Sequence, residues 1–221
     1  MQSATAVAEL EKLGVRLEKD DEGIVQSAEA TDCEIADAAL AHFGELPELT
    51  SLELSGEITD AGLAHLKGLD RLQRLYVYGT RITDAGLANL AGLTGLEVLT
   101  LQEPRIRGAG LVHLKSLANL RVLNLSQSSV GDEAMVHLAG MTHLDTLALQ
   151  GTKVTNGVFA HLKTLSDLRV LNLDGCQISD DGLKGVEEFT NLRILYLEGA
   201  EVTEEAIEKL DEAAPMLAIF D

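Results

Sequence analysis

The chain has 221 residues, of which 46% are hydrophobic and 24% charged, and its formal net charge is -19 at pH 7. So acidic a chain is repelled by nucleic-acid phosphates and by anionic lipid headgroups, which attract clusters of Lys and Arg. No apolar stretch approaches the roughly 20 residues that a membrane-spanning helix needs. We therefore expect a cytoplasmic protein that binds neither nucleic acid nor membrane, or a secreted or periplasmic one if a leader was removed.

The first 24 residues predict a terminal cap rather than a repeat. Residues 4–13 carry the pattern of a short helix, and Gly14 follows where a helix commonly ends. Residues 15–30 predict two strands on either side of the turn Asp-Asp-Glu-Gly at 20–23. Such a cap would cover the open end of a repeat array.

From residue 25 to residue 203 the sequence repeats itself every 23 or 24 residues. The string Ile-Thr-Asp-Ala-Gly-Leu occurs at 58–63 and again at 82–87. A branched apolar residue marks the same position of each repeat: Ile35, Ile58, Ile82, Ile106, Val130, Val154, Ile178 and Val202. A period of this length is typical of a solenoid. Because the repeat is unbroken, we interpret residues 1–221 as one domain.

Each repeat predicts a strand followed by a helix. In residues 96–119, Leu99 and Leu101 alternate as in a short strand whose two leucines point inward. Leu111, Leu114 and Leu117 then return at a spacing of three, as a helix with one buried stripe would place them.

The last residues, 204–221, predict a second cap. Residues 204–213 form an acidic helical pattern, and residues 216–220 repeat the spacing of the preceding strand, which predicts a partial ninth strand of the repeat array. From Asp180 onward there are 12 Asp and Glu residues against 3 Lys and Arg. This charge either makes the terminal cap soluble and favours the start of its helix, or forms a surface for a cation or a basic partner.

These repeats resemble those of the leucine-rich repeat family, in particular a bacterial type with a 24-residue unit. Its motif Gly-Thr-x-Ile-Thr-Asp-x-Gly-Leu is carried most fully by residues 79–87, and 151–157 and 175–183 are near copies. The resemblance covers residues 25 to 220. It implies an α/β fold, a right-handed, ribonuclease-inhibitor-like solenoid of about eight repeats, with a parallel sheet on the concave face and helices on the convex face. It also implies a role in binding proteins.

Hydroxyl residues after the branched position predict helix N-caps. They are Thr59, Thr83, Thr155, Ser179 and Thr203. Residues 103–108, Glu-Pro-Arg-Ile-Arg-Gly, lose both the turn glycine and this cap, so we predict an irregular turn there. Restoring the usual residues with Pro104→Thr, Arg107→Thr and Gly108→Asp is then expected to stabilise the fold by around 1 kcal/mol.

A column of histidines raises the question of a metal site, since His42, His65, His113, His137 and His161 share one helix position. Neighbouring helices pack roughly 8–10 Å apart, whereas zinc needs nitrogen ligands at about 2.1 Å. No carboxylate or thiol recurs beside the column. We therefore interpret the histidines as surface residues and expect no metal.

Catalysis finds no support in the sequence. There is no Gly-x-Ser-x-Gly motif, phosphate loop or Cys/His pair, and no histidine falls on a predicted strand. Cys33 and Cys176 lie six repeats apart, roughly 29 Å at the spacing of stacked strands, so they cannot form a disulfide within one chain. We expect neither an enzyme nor a cofactor.

The concave face remains as the predicted binding surface. Strand alternation places the following residues on it: Arg74, Tyr76, Tyr78, Thr100, Gln102, Asn124, Gln150, Asn172 and Tyr196. Two tyrosines and an arginine fall within one strand, and both residue types are enriched at binding hot spots. Isolated tyrosines are also ordinary strand residues.

We therefore predict a monomeric module that binds an unidentified protein or peptide, neutral or basic, through Arg74, Tyr76, Tyr78, Thr100 and Gln102. The alternative patch contains Asn172, Asp174, Tyr196 and Glu198. The alternative function is a structural repeat segment of a larger protein, and the third is a metal-binding protein or enzyme based on the histidine column.

Overall fold

The computed structural model describes residues 2–221, which form a ten-stranded sheet with helical segments along one side. The strands follow one another in chain order across the sheet. They are β1 (Arg16–Lys19), β2 (Val25–Ala30), β3 (Ser51–Ser55), β4 (Arg74–Tyr78), β5 (Val98–Gln102), β6 (Val122–Asn124), β7 (Thr146–Ala148), β8 (Val170–Asn172), β9 (Ile194–Tyr196) and β10 (Ala218–Phe220). From β2 to β10 every neighbouring pair is parallel. The predicted α/β solenoid is confirmed.

The helical segments between the strands are short. The α-helices are α1 (Ala4–Lys12), α2 (Asp37–Phe43), α3 (Asp60–Leu63), α4 (Val158–Leu162), α5 (Asp180–Leu183) and α6 (Glu204–Ala213). The 3-10 helices are Ala64–Leu66, Gly86–Leu90, Ala109–Ser116, Asp132–Leu138 and Val186–Glu188. The leucine spacing of three noted at residues 111–117 matches the three residues per turn of a 3-10 helix. None of the helices in residues 2–221 has the length and apolar character needed to cross a membrane.

The two ends of the chain have the predicted secondary structure. Helix α1 precedes an antiparallel pair formed by β1 and β2, and Gly14 adopts a φ of 84° just after the helix. At the other end, α6 leads into β10, which pairs with β9 in parallel register. Helix α6 buries only Leu210 fully.

A continuous hydrophobic core lies between the sheet and the helical segments. The branched position of the repeat is fully buried from Ile58 to Ile178. Val202, in the last repeat, is partly buried instead. Each repeat adds one thin layer of leucines to this core, so neighbouring repeats stabilise one another through contacts along the solenoid.

Adjacent repeats are also joined by an aspartate of one repeat and a threonine of the next. Asp37 accepts hydrogen bonds from the backbone N of Thr59 at 2.7 Å and from its hydroxyl at 2.6 Å. The same pair of bonds joins Asp60 to Thr83, Asp132 to Thr155 and Asp180 to Thr203. We call this series the Asp–Thr ladder. In these four repeats it fixes the start of the helical segment against the preceding repeat.

Two of the five predicted N-caps are confirmed, since Thr59 caps α3 and Thr203 caps α6, each with its hydroxyl accepting a bond from a backbone N two or three residues later. The hydroxyls of Thr83 and Thr155 accept a similar bond from the backbone N two residues later, but the N-caps of the helical segments that follow are Ala85 and Gly157. The prediction for Ser179 is wrong, because its side chain makes no capping bond. Its hydroxyl accepts a bond from the amide of Asn156, which stands in the ladder where other repeats have Asp.

Both cysteines are free, as expected. Cys176 is buried, and its thiol donates to the carbonyl of Leu149 at 3.1 Å. Burial raises the pKa of the thiols of Cys176 and Cys33. Both groups therefore stay protonated at neutral pH, in keeping with a structural role.

Candidate protein-binding surface

The side of the sheet that faces away from the core, called here the open face, carries side chains in regular rows. Parallel register brings Arg74 beside Val98, Tyr76 beside Thr100 and Tyr78 beside Gln102. From β5 to β9 the first row is apolar except for Thr146, and it contains Val98, Val122, Thr146, Val170 and Ile194. The strands β6 to β9 have only three residues each, so Gln150, predicted on the third row, lies just beyond the end of β7. Gln150 is exposed.

The stacked pair of Tyr76 and Tyr78 is the most distinctive feature of the open face. Their ring centroids lie 6.5 Å apart with an interplanar angle of 15°. Both side chains are half-buried. Strand β4 pairs over five residues with β3 on one side and β5 on the other, so the rings stand on a rigid base. Burial, followed by the nearby Glu53 and Tyr76, raises the pKa of the Tyr78 hydroxyl.

Arg74 and Gln102 lie at opposite ends of this tyrosine pair. Arg74 is exposed, and its Nε lies 3.5 Å from the hydroxyl of Ser51 on β3. Gln102 is partly exposed beside Tyr78. Together with the two tyrosines they form the tyrosine patch, defined as Arg74, Tyr76, Tyr78 and Gln102.

Thr100 faces the same side but is only 5% exposed. Its short side chain stands in register between the larger Tyr76 and Asn124. Thr100 therefore offers almost no surface to a partner, although the sequence predicted it as part of the binding patch.

The side chains of Asn124 and Asn172 form hydrogen bonds within the turns that follow their own strands. The amide oxygen of Asn124 accepts a bond from the backbone N of Ser126 at 2.9 Å. Asn172 makes the same bond to the N of Asp174 at 2.9 Å, and its amide N donates to the Asp174 carboxylate. These bonds occupy much of the hydrogen-bonding capacity that binding would need.

A second aromatic pair lies at the far end of the open face. Tyr196 on β9 stacks on Phe220 of β10 with centroids 5.0 Å apart, and Phe220 is 50% exposed. Sequence reasoning placed Tyr196 on this face but missed Phe220. The signal was present, because the spacing of residues 216–220 matches that of β9 and puts Phe220 in the row of Tyr196.

The histidine column lies on the helical side, with His65 and His113 exposed and the others partly exposed. The structure shows no group of three or more His, Cys, Asp or Glu side chains placed to hold a metal ion within residues 2–221. The imidazole Nδ1 of His42 lies 3.9 Å from the carboxylate of Glu45.

The irregular turn predicted at residues 103–108 is present beside the tyrosine patch. In five other repeats the equivalent position holds a residue with φ between 57° and 73°, namely Gly79, Gln127, Gly151, Gly175 or Gly199. Glu103 occupies this position with an ordinary negative φ, since Gln127 is the sole non-glycine residue of the described chain with positive φ. Its side chain is fully buried, and one carboxylate oxygen accepts a bond from the backbone N of Thr80 at 2.7 Å. Burial raises the pKa of Glu103.

The sequence-based expectation that Gly108→Asp would help to stabilise this turn is not supported by the structure. Gly108 has a φ of 111°, and a Cβ added there would overlap the Cβ of Ala134 in the next repeat. The lost cap is also replaced, because the carboxylate of Asp84 accepts bonds from the backbone N of Arg107, Gly108 and Gly110 at 2.9–3.0 Å. Packing against Ala134 therefore requires glycine at position 108.

Comparison with known proteins agrees with this architecture. Residues 161–186, which contain β8 and the residues on both sides of it, match the family model described as Leucine Rich repeat. The chain has the leucine-rich repeat fold. This fold is similar to the crystal structure of internalin C2 from Listeria monocytogenes, with a TM-score of 0.71 and 24% sequence identity. The match covers 100% of this chain and 92% of the internalin C2 chain. The sequence matches no curated protein.

Proposed function

We propose that this leucine-rich repeat chain is a protein-interaction module whose partner binds across the tyrosine patch. The observation that carries the proposal is the stacked, half-exposed pair of Tyr76 and Tyr78 on a strand that is paired on both sides. Tyr and Arg dominate many interfaces because they bury a large area at a modest entropic cost. A rigid base lowers that cost further, since the rings need little ordering on binding.

The net charge of -19 favours a neutral or basic partner. Long-range attraction would speed the association of a basic partner, and added salt would slow it by screening the charge. This behaviour separates the proposed surface from one that depends on apolar contact alone.

The experiment is selection of random linear peptides on the immobilised chain, followed by affinity measurements with variants. For selected peptides, Tyr76→Ala combined with Tyr78→Ala should weaken binding by about 2 kcal/mol or more. The melting temperature should change little, because both rings are partly exposed. Val136→Ala is a matched control, since it removes an apolar side chain that is 48% exposed on the helical side.

The outcomes separate the alternatives. Peptides that bind the double variant as well as the wild type would exclude the tyrosine patch. Loss of binding on Tyr196→Ala instead would transfer the proposal to the patch of Asn172, Asp174, Tyr196 and Glu198. Failure to select any peptide or folded partner on either patch would favour a purely structural repeat segment.

A further inference from the structure

The tyrosine patch borders a carboxylate that has no basic partner in the described chain. Glu53 on β3 stands directly beside Tyr76 in the parallel register, about 4.8 Å away along the backbone. Its side chain is partly exposed on the open face. No Lys, Arg or His side chain of residues 2–221 brings a nitrogen within 4.0 Å of this carboxylate.

The charged groups nearest to Glu53 in the sheet are directed to other partners. Glu29, the next carboxylate in the same row, is bonded to Arg16 at 3.0 Å. Arg74, the nearest arginine on β4, is directed to the hydroxyl of Ser51 instead. Glu53 is therefore left between an ion-paired carboxylate and two aromatic rings.

The combination of aromatic rings and a carboxylate has a definite chemical preference. The face of a tyrosine ring attracts a cation, and a guanidinium group can also stack on it. A partner that covered Glu53 with an apolar or acidic group would bury a charge without compensation, which is unfavourable. A basic side chain avoids this loss and gains contact with the rings.

We infer that the partner places a basic side chain, arginine in preference to lysine, against Tyr76 and Tyr78 with its charge paired to Glu53. This inference rests on the proposed function, because it assigns one contact of the same surface. The planar guanidinium suits the arrangement, since it can stack on a ring while donating two parallel bonds to a carboxylate. Arg74 restricts the approach of the cation to the Tyr78 end of β4.

The second aromatic pair provides an internal comparison. Tyr196 and Phe220 lie five to six strands away, roughly 24–29 Å from the tyrosine patch. The register neighbours of Tyr196 are Asn172 and Phe220, so no carboxylate stands directly beside this ring as Glu53 stands beside Tyr76. The Tyr196 ring therefore serves as an aromatic control within the same molecule.

The probes are capped heptapeptides of Gly and Ser with one central residue, either arginine, lysine or citrulline. Citrulline has the shape of arginine without its charge. We expect the arginine peptide to shift the ring signals of Tyr76 and Tyr78 in a carbon-proton NMR spectrum, the lysine peptide to shift them less, and citrulline to leave them in place. The Tyr196 ring signals should not move. Absence of any shift at about 20 mM arginine peptide would overturn the inference, because even a millimolar site is largely occupied there.

Variants test the role of the carboxylate. Glu53→Gln should weaken arginine-peptide binding about fivefold, as expected for loss of one partly exposed ion pair. Glu97→Gln is the matched control, because this substitution removes the same charge from an exposed residue just before β5. Equal losses in the two variants would mean that the effect is general electrostatics and not a contact.

The peptides selected for the proposed function give the second measurement. They should be rich in arginine and should lose affinity with Glu53→Gln. Peptides that depend on Tyr76 and Tyr78 but contain no basic residue would overturn this inference while leaving the proposed function standing. Peptides insensitive to all three substitutions would remove both.

Discussion

The turns at 79–84 and 103–108 occupy the same position in consecutive repeats but are stabilised differently. In the first, Gly79 supplies the left-handed φ, and Thr83 joins the Asp–Thr ladder through its backbone N and its hydroxyl, both at 2.7 Å from Asp60. In the second, a buried Glu103 replaces the glycine, and three backbone N–H groups replace the threonine on Asp84. Ile82 and Ile106 are equally buried in both. The same buried isoleucine position is thus compatible with two different sets of hydrogen bonds to the backbone N–H groups of the turn.

The difference also has a consequence for the next repeat. Gly108 stands where most repeats carry the ladder Asp or Asn, and Arg107 and Gly131 stand where most carry Thr or Ser. The Asp–Thr ladder is therefore interrupted after Asp60 and Thr83 and resumes with Asp132 and Thr155. The tyrosine patch lies on the N-terminal side of this interruption.

The largest effect is expected at Gly108. Gly108→Asp should destabilise the fold by about 3 kcal/mol, because it adds an overlap with Ala134 to an unfavourable left-handed conformation. Urea unfolding measures the change. Gly92→Ala is the control, since nothing lies within 4 Å of its added Cβ and its φ is not positive, so it should shift the free energy of unfolding by less than about 0.5 kcal/mol. A stabilised Gly108→Asp variant would mean that the two turns are interchangeable.

The next effect compares the two aspartates. Asp84→Ala should cost about 2–3 kcal/mol, because three backbone N–H groups lose their acceptor. Asp60→Ala removes the acceptor of one backbone N–H and one hydroxyl, and the hydroxyl of Thr83 can find another partner. Chemical denaturation of both variants should therefore rank Asp84→Ala as the more harmful. Equal losses would argue against a special role for Asp84.

A third effect depends on pH. Because burial raises the pKa of Glu103, the folded state favours the protonated carboxyl, and this contribution to stability is lost as pH rises through the raised pKa. Glu103→Gln should remove that loss, so the variant should gain stability relative to wild type when the two proteins are compared at pH 8 instead of pH 5. Denaturant unfolding at the two pH values gives the comparison. Parallel pH profiles for the two proteins would show that Glu103 does not titrate in this range.

The smallest effect is expected at Arg107. Its side chain is exposed, and its backbone N already bonds to Asp84 at 3.0 Å. Arg107→Thr can add a hydroxyl bond to that carboxylate, which should stabilise by at most about 0.5–1 kcal/mol. A lower melting temperature of the Arg107→Thr variant would instead indicate that the arginine side chain contributes to packing.

The strands and the rows of side chains on the open face could be predicted from the repeat period. Alternation in each strand correctly placed Tyr76, Tyr78 and Gln102 on the open face, because a parallel register repeats one local pattern. The bonds from Asn124 to Ser126 and from Asn172 to Asp174 span two residues, so this spacing was a readable signal of local turns.

Features that depend on neighbouring repeats could not be predicted in the same way. The overlap at Gly108 involves Ala134, which lies one repeat further along the chain. Thr100 is buried because Tyr76 on β4 and Asn124 on β6 stand on either side of it. Glu103 is buried, although a single glutamate in a turn is usually exposed. The unpaired state of Glu53 likewise depends on where Arg74 and Arg16 are directed.

The most direct test of the proposed function is the dissociation constant of a peptide selected on the wild-type chain, measured with the wild type, with Val136→Ala and with the Tyr76→Ala, Tyr78→Ala double variant. A loss of about 2 kcal/mol corresponds to a weakening of roughly 30-fold in the double variant. The control should bind as tightly as the wild type, and all three proteins should unfold at nearly the same temperature. A double variant that binds within about twofold of the wild type would contradict the assignment of the tyrosine patch as the contact surface.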